Sequence, residues 1–253
     1  MNKKLLVVLI VAMLALAACK PLAAVGIGEE PVDEEMDLQE IVAEPTKAVL
    51  EDKGNYYRDD MDWEDPNDDW GLKVVIGLEN DLIWSKLGGK FRLETINVND
   101  VEYLFLNKNN RYEDVVVEAQ VENIGPTDAA FALVCRASEA GWYEFRVSPS
   151  GYYEFLRYDQ YMRDSGKNAY NSLFEKERVN TNLVNIGTKT NVFSLSCVGN
   201  QITAFVNGEQ LYYERRPLAI EDETYTDGAI GFGIRGYGRE YDMVFDWVEA
   251  KKP

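Results

Sequence analysis

The feature that most constrains this chain is residues 131–158, FALVCRASEAGWYEFRVSPSGYYEFLRY. Phe131, Leu133 and Cys135 alternate with Ala132, Val134 and Arg136. This is the two-residue period of a strand with one face buried. After Glu139-Ala140-Gly141 the alternation resumes, with Tyr143, Phe145 and Val147 set against Trp142, Glu144 and Arg146. Ser148-Pro149-Ser150-Gly151 makes a turn, and residues 152–158 return as a third strand. Three strands joined by short turns commit the chain to antiparallel pairing.

The same texture runs through the body of the chain. Short strands are predicted at 90–98, 101–106, 114–122, 192–198, 202–206, 210–213, 229–234 and 241–250. Asn207-Gly208 is the strongest hairpin signal, a type I′ turn. No window carries a convincing amphipathic helix. Ten or more short strands predict an all-β fold, an antiparallel sandwich of jelly-roll type. Residues 159–178 break the rhythm and read as a long polar loop over one face or rim.

Composition excludes several function classes. The chain of 253 residues has no histidine. Ser-His-Asp and Cys-His catalysis, and His-ligated zinc or haem, are therefore ruled out. The formal net charge of −18 argues against a nucleic-acid partner. That charge is uneven: residues 20–69 hold 17 acidic against 4 basic side chains, a net of −13, and residues 70–253 carry −7.

The front of the chain explains the asymmetry. Lys3 and Lys4 precede a 14-residue apolar run, 5–18, too short for the ~20 helical residues that span a bilayer. The run ends in Leu16-Ala17-Ala18-Cys19, which resembles the lipobox of bacterial lipoproteins. The resemblance implies that residues 1–18 are a signal peptide, cut before Cys19, and that the Cys19 thiol carries lipid. The expected location is extracytoplasmic, lipid-anchored to the bacterial membrane or envelope. Residues 19–55 then form an acidic stretch without aromatics, read as a disordered tether with too little apolar surface to fold. Tyr56 opens the domain, residues 56–253.

Four pieces of that domain resemble the concanavalin A-like superfamily, in its laminin-G-like and 3-keto-disaccharide-hydrolase-like branches. They are the opening DDMDWEDPNDDW at 59–70, the paired central strands with their Ser-Pro-x-Gly turn, TNVFSLSCVGNQITAFVNGEQL at 190–211, and the ending GAIGFGIRG…YDMVFDWVEA. The resemblance implies a concanavalin A-like sandwich. It does not name a function, because this fold hosts lectins, hydrolases and inert spacers.

Individual constellations narrow the field. Cys135 and Cys197 sit in matched contexts, Phe131-x-Leu133-x-Cys135 and Phe193-x-Leu195-x-Cys197, so each lies on an apolar strand face. In a secreted protein they are expected to form a buried disulfide. Glu118 and Glu122 are similar to the Glu-x-Asp-x-Glu strand of β-glucanases on this fold, but the central position is Gln120. Strand residues four apart are separated by about 13 Å of rise, whereas a retaining carboxylate pair needs about 5–5.5 Å. A solvated strand face is the better reading. Asp60, Asp62 and Asp246 are candidate ligands of a structural calcium, should first and last strands pair; the alternative is a solvated acidic turn. No other cofactor is implied. The glycines at 228, 231, 233, 236 and 238 precede no helix and indicate close strand packing.

The binding candidates are the outward face of the central strands with the neighbouring loop: Arg136, Trp142, Glu144, Arg146, Arg157, Tyr158 and Tyr161. They can make an aromatic platform with hydrogen-bonding groups, suited to a sugar. Equally, they can pack beneath residues 159–178. The expectation is a non-catalytic module for a glycan or cell-wall polymer, held at the membrane by its lipid. The alternatives are a structural or protein-interaction domain and a carboxylate-dependent glycoside hydrolase.

Overall fold

The computed structural model describes residues 55–62, 69–86, 88–96, 99–174 and 179–253. In chain order the strands are β1 (Asn55–Asp59), β2 (Trp70–Ile76), β3 (Leu82–Lys86), β4 (Phe91–Thr95), β5 (Val101–Asn107), β6 (Val115–Asn123), β7 (Ala130–Ala137), β8 (Gly141–Val147) and β9 (Tyr152–Asp159). A single turn of helix, α1 (Gln160–Asp164), follows. Then come β10 (Tyr170–Ser172), β11 (Val179–Asn180), β12 (Thr190–Val198), β13 (Gln201–Val206), β14 (Glu209–Gln210), β15 (Tyr212–Tyr213), β16 (Arg216–Pro217), β17 (Ile220–Glu221), β18 (Ala229–Gly236) and β19 (Asp242–Lys251). The expected signal peptide and tether lie outside the described residues.

Among the described residues, two large antiparallel sheets form a jelly-roll sandwich. One has the order β14-β13-β12-β6-β19-β4-β3, with β1 added on β19 and β17 on β13. The other runs β10-β9-β8-β7-β18-β5-β2, with β11 added on β9. The chain passes repeatedly from sheet to sheet, so neighbours within a sheet are often distant in sequence. The three expected central strands are β7, β8 and β9, in register from Phe131↔Val147 and Phe145↔Phe155 outward. Asn207 and Gly208 take left-handed φ of 53° and 82° at the β13–β14 turn, as a type I′ hairpin requires. The first strand does pair with the last, Arg58 opposite Glu249.

Between the sheets lies the main core. Phe131, Leu133, Tyr143, Phe145, Phe193, Leu195, Phe232 and Phe245 all project into it and are buried. Phe232 packs edge-on against Trp70 and Phe91, at 4.8 and 5.5 Å between ring centres. Cys135 of β7 and Cys197 of β12 are joined by the expected disulfide, which links one sheet to the other. The glycines of β18 serve close packing: a Cβ on Gly233 would stand 2.0 Å from the Tyr103 carbonyl oxygen.

The second sheet departs from a half-buried strand pattern. Every residue of β7 and β8 is buried, on both faces. The reason is curvature. Tyr170, on edge strand β10, donates its hydroxyl to Glu102 of β5. Four strands, β9, β8, β7 and β18, lie between these two in the sheet. Laid flat, that order would separate them by roughly 24 Å. The sheet must therefore curl until its edge folds back over its own outer face. The trough so formed encloses a second small core of Val75, Leu104, Ala132, Val134, Trp142, Tyr158 and Ala169. Small residues on the floor, Ala132 and Gly233, leave room for it.

Candidate functional site

The trough holds most of the expected platform. Trp142 and Tyr158 stack face to face, ring centres 3.8 Å apart and planes 7° from parallel. Trp142 Nε1 donates to Glu144 Oε2 at 2.9 Å. Arg146 donates from Nε to Glu144 Oε1 and from Nη2 to Glu102 Oε1, each at 2.5 Å. The Tyr170 hydroxyl touches both carboxyls, Glu102 and, at 3.0 Å, Glu144. The guanidinium of Arg146 lies over the Tyr170 ring at 4.2 Å. Glu102 and Glu144 are 0% and 1% exposed.

Burial dominates the protonation of this cluster. It pushes Glu102 up to about 8, helped by the negative charge of Glu144 and opposed by Arg146, the Tyr170 hydrogen bond and Arg235. Burial also raises the Tyr170 phenol well above its ordinary value, with both carboxylates adding to the shift. For Arg146 burial works against the charge, yet Glu144 and Glu102 outweigh it and hold the guanidinium protonated. Glu102 was not among the residues singled out in the sequence. Its neighbours Val101 and Tyr103 give a strand pattern that makes it outward, and only the curl shows that outward means enclosed.

An exposed platform is therefore not what these residues form. Trp142, Glu144, Arg146 and Tyr158 do share the outward face, but all are buried there. Arg136 is on neither face in a regular sense: its φ is 53°, at a bulge where β7 slips register against β18. That turns its side chain to the end of the sandwich. There it donates to the carbonyls of Glu113, Tyr225 and Gly199, at 2.9, 3.1 and 2.7 Å. Arg157 alternates with Tyr158 and so points to the opposite side, where it pairs with Asp222 at 2.6 Å beside Tyr143. Tyr161 alone is open, 75% exposed on α1.

The acidic candidates are not brought together. Among the described residues no group of three acidic or thiol side chains is placed to hold a metal. Asp60 accepts from Arg58 at 2.6 Å, and Asp246 accepts from Gln120 at 2.6 Å. Asp62 is exposed. The aspartate that organises the opening is instead Asp59, buried, accepting from the Met61 amide and the Trp70 indole at 2.7 Å each. Glu118 and Glu122 behave as a paired surface: Glu118 binds Lys251 at 2.6 Å, and Glu122 lies 3.5 Å from Lys90.

A concave, open site lies elsewhere, just past β10. A cleft of about 630 Å³ is lined by Leu173 and Phe174 on one side and by residues 213–214 and 216–221 on the other. Its floor is the buried pair Leu218 and Ile220. Phe174 and Tyr213 meet edge to face, ring centres 4.7 Å apart. Glu214, Arg216 and Glu221 stand exposed around it. The β15–β16 turn that carries the rim places Glu214 and Arg215 at φ of 50° and 64°, a left-handed conformation that costs a side-chain-bearing residue about 1–2 kcal/mol. The cleft joins an apolar floor and two aromatics to a charged rim, in a volume large enough for a small ligand.

Comparison with solved structures identifies the fold. The laminarinase catalytic domain of Thermotoga maritima MSB8 superposes with a TM-score of 0.55 at 9% identity, over 80% of this chain and 99% of that one. LamAcat of Zobellia galactanivorans gives 0.54 at 10% identity, over 79% and 98%. The glycoside hydrolase family 16 endo-glucanase of Bacteroides ovatus gives 0.52 at 12%, over 77% and 99%. This chain shares their fold, an antiparallel jelly-roll β-sandwich. No family model and no curated protein matches the sequence.

Proposed function

We propose that the protein is a glycan-binding module displayed outside the cytoplasm, and that the cleft beside Phe174 and Tyr213 is its binding site. The observation that carries this reading is the open, aromatic-walled cleft itself. Aromatic rings accept the C–H faces of sugars, and Arg216, Glu214 and Glu221 are placed to bond hydroxyls. The neighbours named for laminarin and glucan chemistry make β-glucans the first ligands to try. Binding without hydrolysis fits the trough, where the Glu102–Glu144 pair is enclosed and bonded to Arg146 rather than open to a substrate. Affinity electrophoresis on laminarin and mixed-linkage glucan is the test. Retention is expected, and Tyr213→Ala and Arg216→Ala are each expected to weaken it about tenfold, equivalent to about 1.4 kcal/mol. Retention that survives both substitutions would place the site elsewhere, and the absence of retention would end the glycan reading.

Anchoring belongs to the same proposal, motivated by Leu16-Ala17-Ala18-Cys19. Cys19→Ala is expected to shift the protein out of the membrane fraction or leave it uncut. Mature Cys19→Ala protein still sedimenting with membranes would exclude a lipid on that thiol.

A further inference from the structure

Residues 160–172 form a strap across the mouth of the trough, and their hold on the sheet is narrow. No residue of α1 is buried. The backbone is tied by the Gln160 amide to the Ala140 carbonyl, the Asp159 amide to the Ala169 carbonyl and the Leu173 amide to the Phe155 carbonyl, each 2.9 Å, and by three paired residues of β10 on β9. Side-chain attachment centres on Tyr170. Its ring meets Tyr158 edge-on at 5.1 Å and lies under Arg146, and its hydroxyl rests on both carboxyl groups.

A phenol has one proton to give and cannot satisfy two carboxylates at once. The arrangement is easiest to hold while Glu102 keeps its own proton, because Glu144 already accepts from Arg146 and Trp142. Then Glu144 and Arg146 balance, and Tyr170 bridges a neutral and a charged group. If the proton leaves, two carboxylates face one guanidinium, and the second oxygen of Glu102, buried without a hydrogen-bond partner, has nothing to receive the added charge.

We propose that this strap is a proton-operated latch: loss of the proton carried by Glu102 releases Tyr170 and, three and four residues on, the cleft wall at Leu173 and Phe174. Control of the cleft rests on the glycan reading; the latch itself does not.

The charged and titratable groups that face Glu102 are Glu144 and Arg146 from β8, Arg235 from β18, Tyr170 from β10 and Tyr158 from β9, with Glu154 of β9 directly opposite Arg146 on the same sheet face. Arg235 is already engaged by the carbonyls of Val101 and Gly236 and by Asp100. No histidine exists to compete for the same pH range. With the strap closed, Glu102 keeps its proton up to about 8. Once opened to water, it reverts to an ordinary glutamate near ~4.3. The closed form is thus fully favoured below the open-state value, and opening grows about tenfold per pH unit until it levels off near the closed-state value.

Hydrogen exchange on the purified full-length protein tests this. Protection of residues 160–174, taken relative to β12, is expected to fall about tenfold per pH unit between about pH 5 and 7.5 and to flatten above about 8. Glu102→Gln, a neutral isostere, should abolish that slope. Tyr170→Phe, which keeps the ring, should lower strap protection throughout. A flat wild-type profile, or a wild-type slope surviving in Glu102→Gln, overturns the latch; should Glu102→Gln fail to fold, the wild-type slope and Tyr170→Phe decide. Laminarin retention at the two ends of the range reads the coupling: a parallel loss supports it, and unchanged retention while the strap opens refutes it. No retention at any pH sinks the glycan reading and leaves the exchange result to judge the latch alone.

Discussion

Trp142→Ala is expected to destabilise the protein as severely as Phe145→Ala, each by about 3–5 kcal/mol. By strand alternation the two residues face opposite ways, and a simple sandwich would make Trp142 the expendable one. Here Trp142 is 1% exposed, stacked on Tyr158, with its indole N–H on Glu144. Truncation would open a cavity in the trough and remove a donor from a buried carboxylate, and both effects are costly. Phe145 sits in the main core against Tyr153 and Phe155 and sets the scale. Urea unfolding of the two variants provides the comparison. If Trp142→Ala falls within about 0.5 kcal/mol of wild type while Phe145→Ala collapses, the ring is solvent-exposed and the aromatic platform regains its case.

That prediction marks where sequence reasoning stops. Alternation correctly separates Phe131, Leu133 and Cys135 from Ala132 and Val134, and Asn207-Gly208 fixes a hairpin, because both signals act over a few residues. The paired Phe-x-Leu-x-Cys contexts correctly join β7 to β12, because each cysteine shares a face with neighbours that must be inside. The curl of the second sheet is different. It arises from how six strands sum their twist, and from small residues such as Ala132 and Gly233 placed far apart in the chain. No local window contains it, so strand alternation gives Trp142, Glu144 and Arg146 an outward direction and leaves open whether they are exposed or packed beneath residues 159–178. Arg136 is misplaced by a single bulge, and Arg157 cannot share a face with Tyr158, its immediate neighbour. The cleft is assembled from Phe174 and residues 213–214 and 216–221, nearly forty positions apart; the run 210–213, which reads as one strand, breaks at Leu211 into β14 and β15 to build it.

Removing the disulfide as Cys135→Ala with Cys197→Ala is expected to cost about 4 kcal/mol. The two cysteines are 62 residues apart in sequence, and the crosslink denies the unfolded chain the freedom of that loop. For a domain of this size, such a loss lowers the melting temperature by roughly 10 °C. The neighbouring residue makes the same connection without a covalent bond. Arg136 reaches Gly199, two positions beyond Cys197, and also ties down Glu113 and Tyr225. Arg136→Ala would leave three carbonyls without their donor and is expected to cost about 2–4 kcal/mol. Both devices hold the β12–β13 turn to the bulge of β7, so their losses should not add. Once the disulfide is gone, that turn is freer to move, and part of what Arg136 restrains is already lost. A double-mutant cycle by urea unfolding is therefore expected to give a triple variant less destabilised than the sum of its parts, by about 1 kcal/mol or more. Strict additivity would show that the bond and the guanidinium stabilise the two sheets independently, and that the shared turn is not the element they secure.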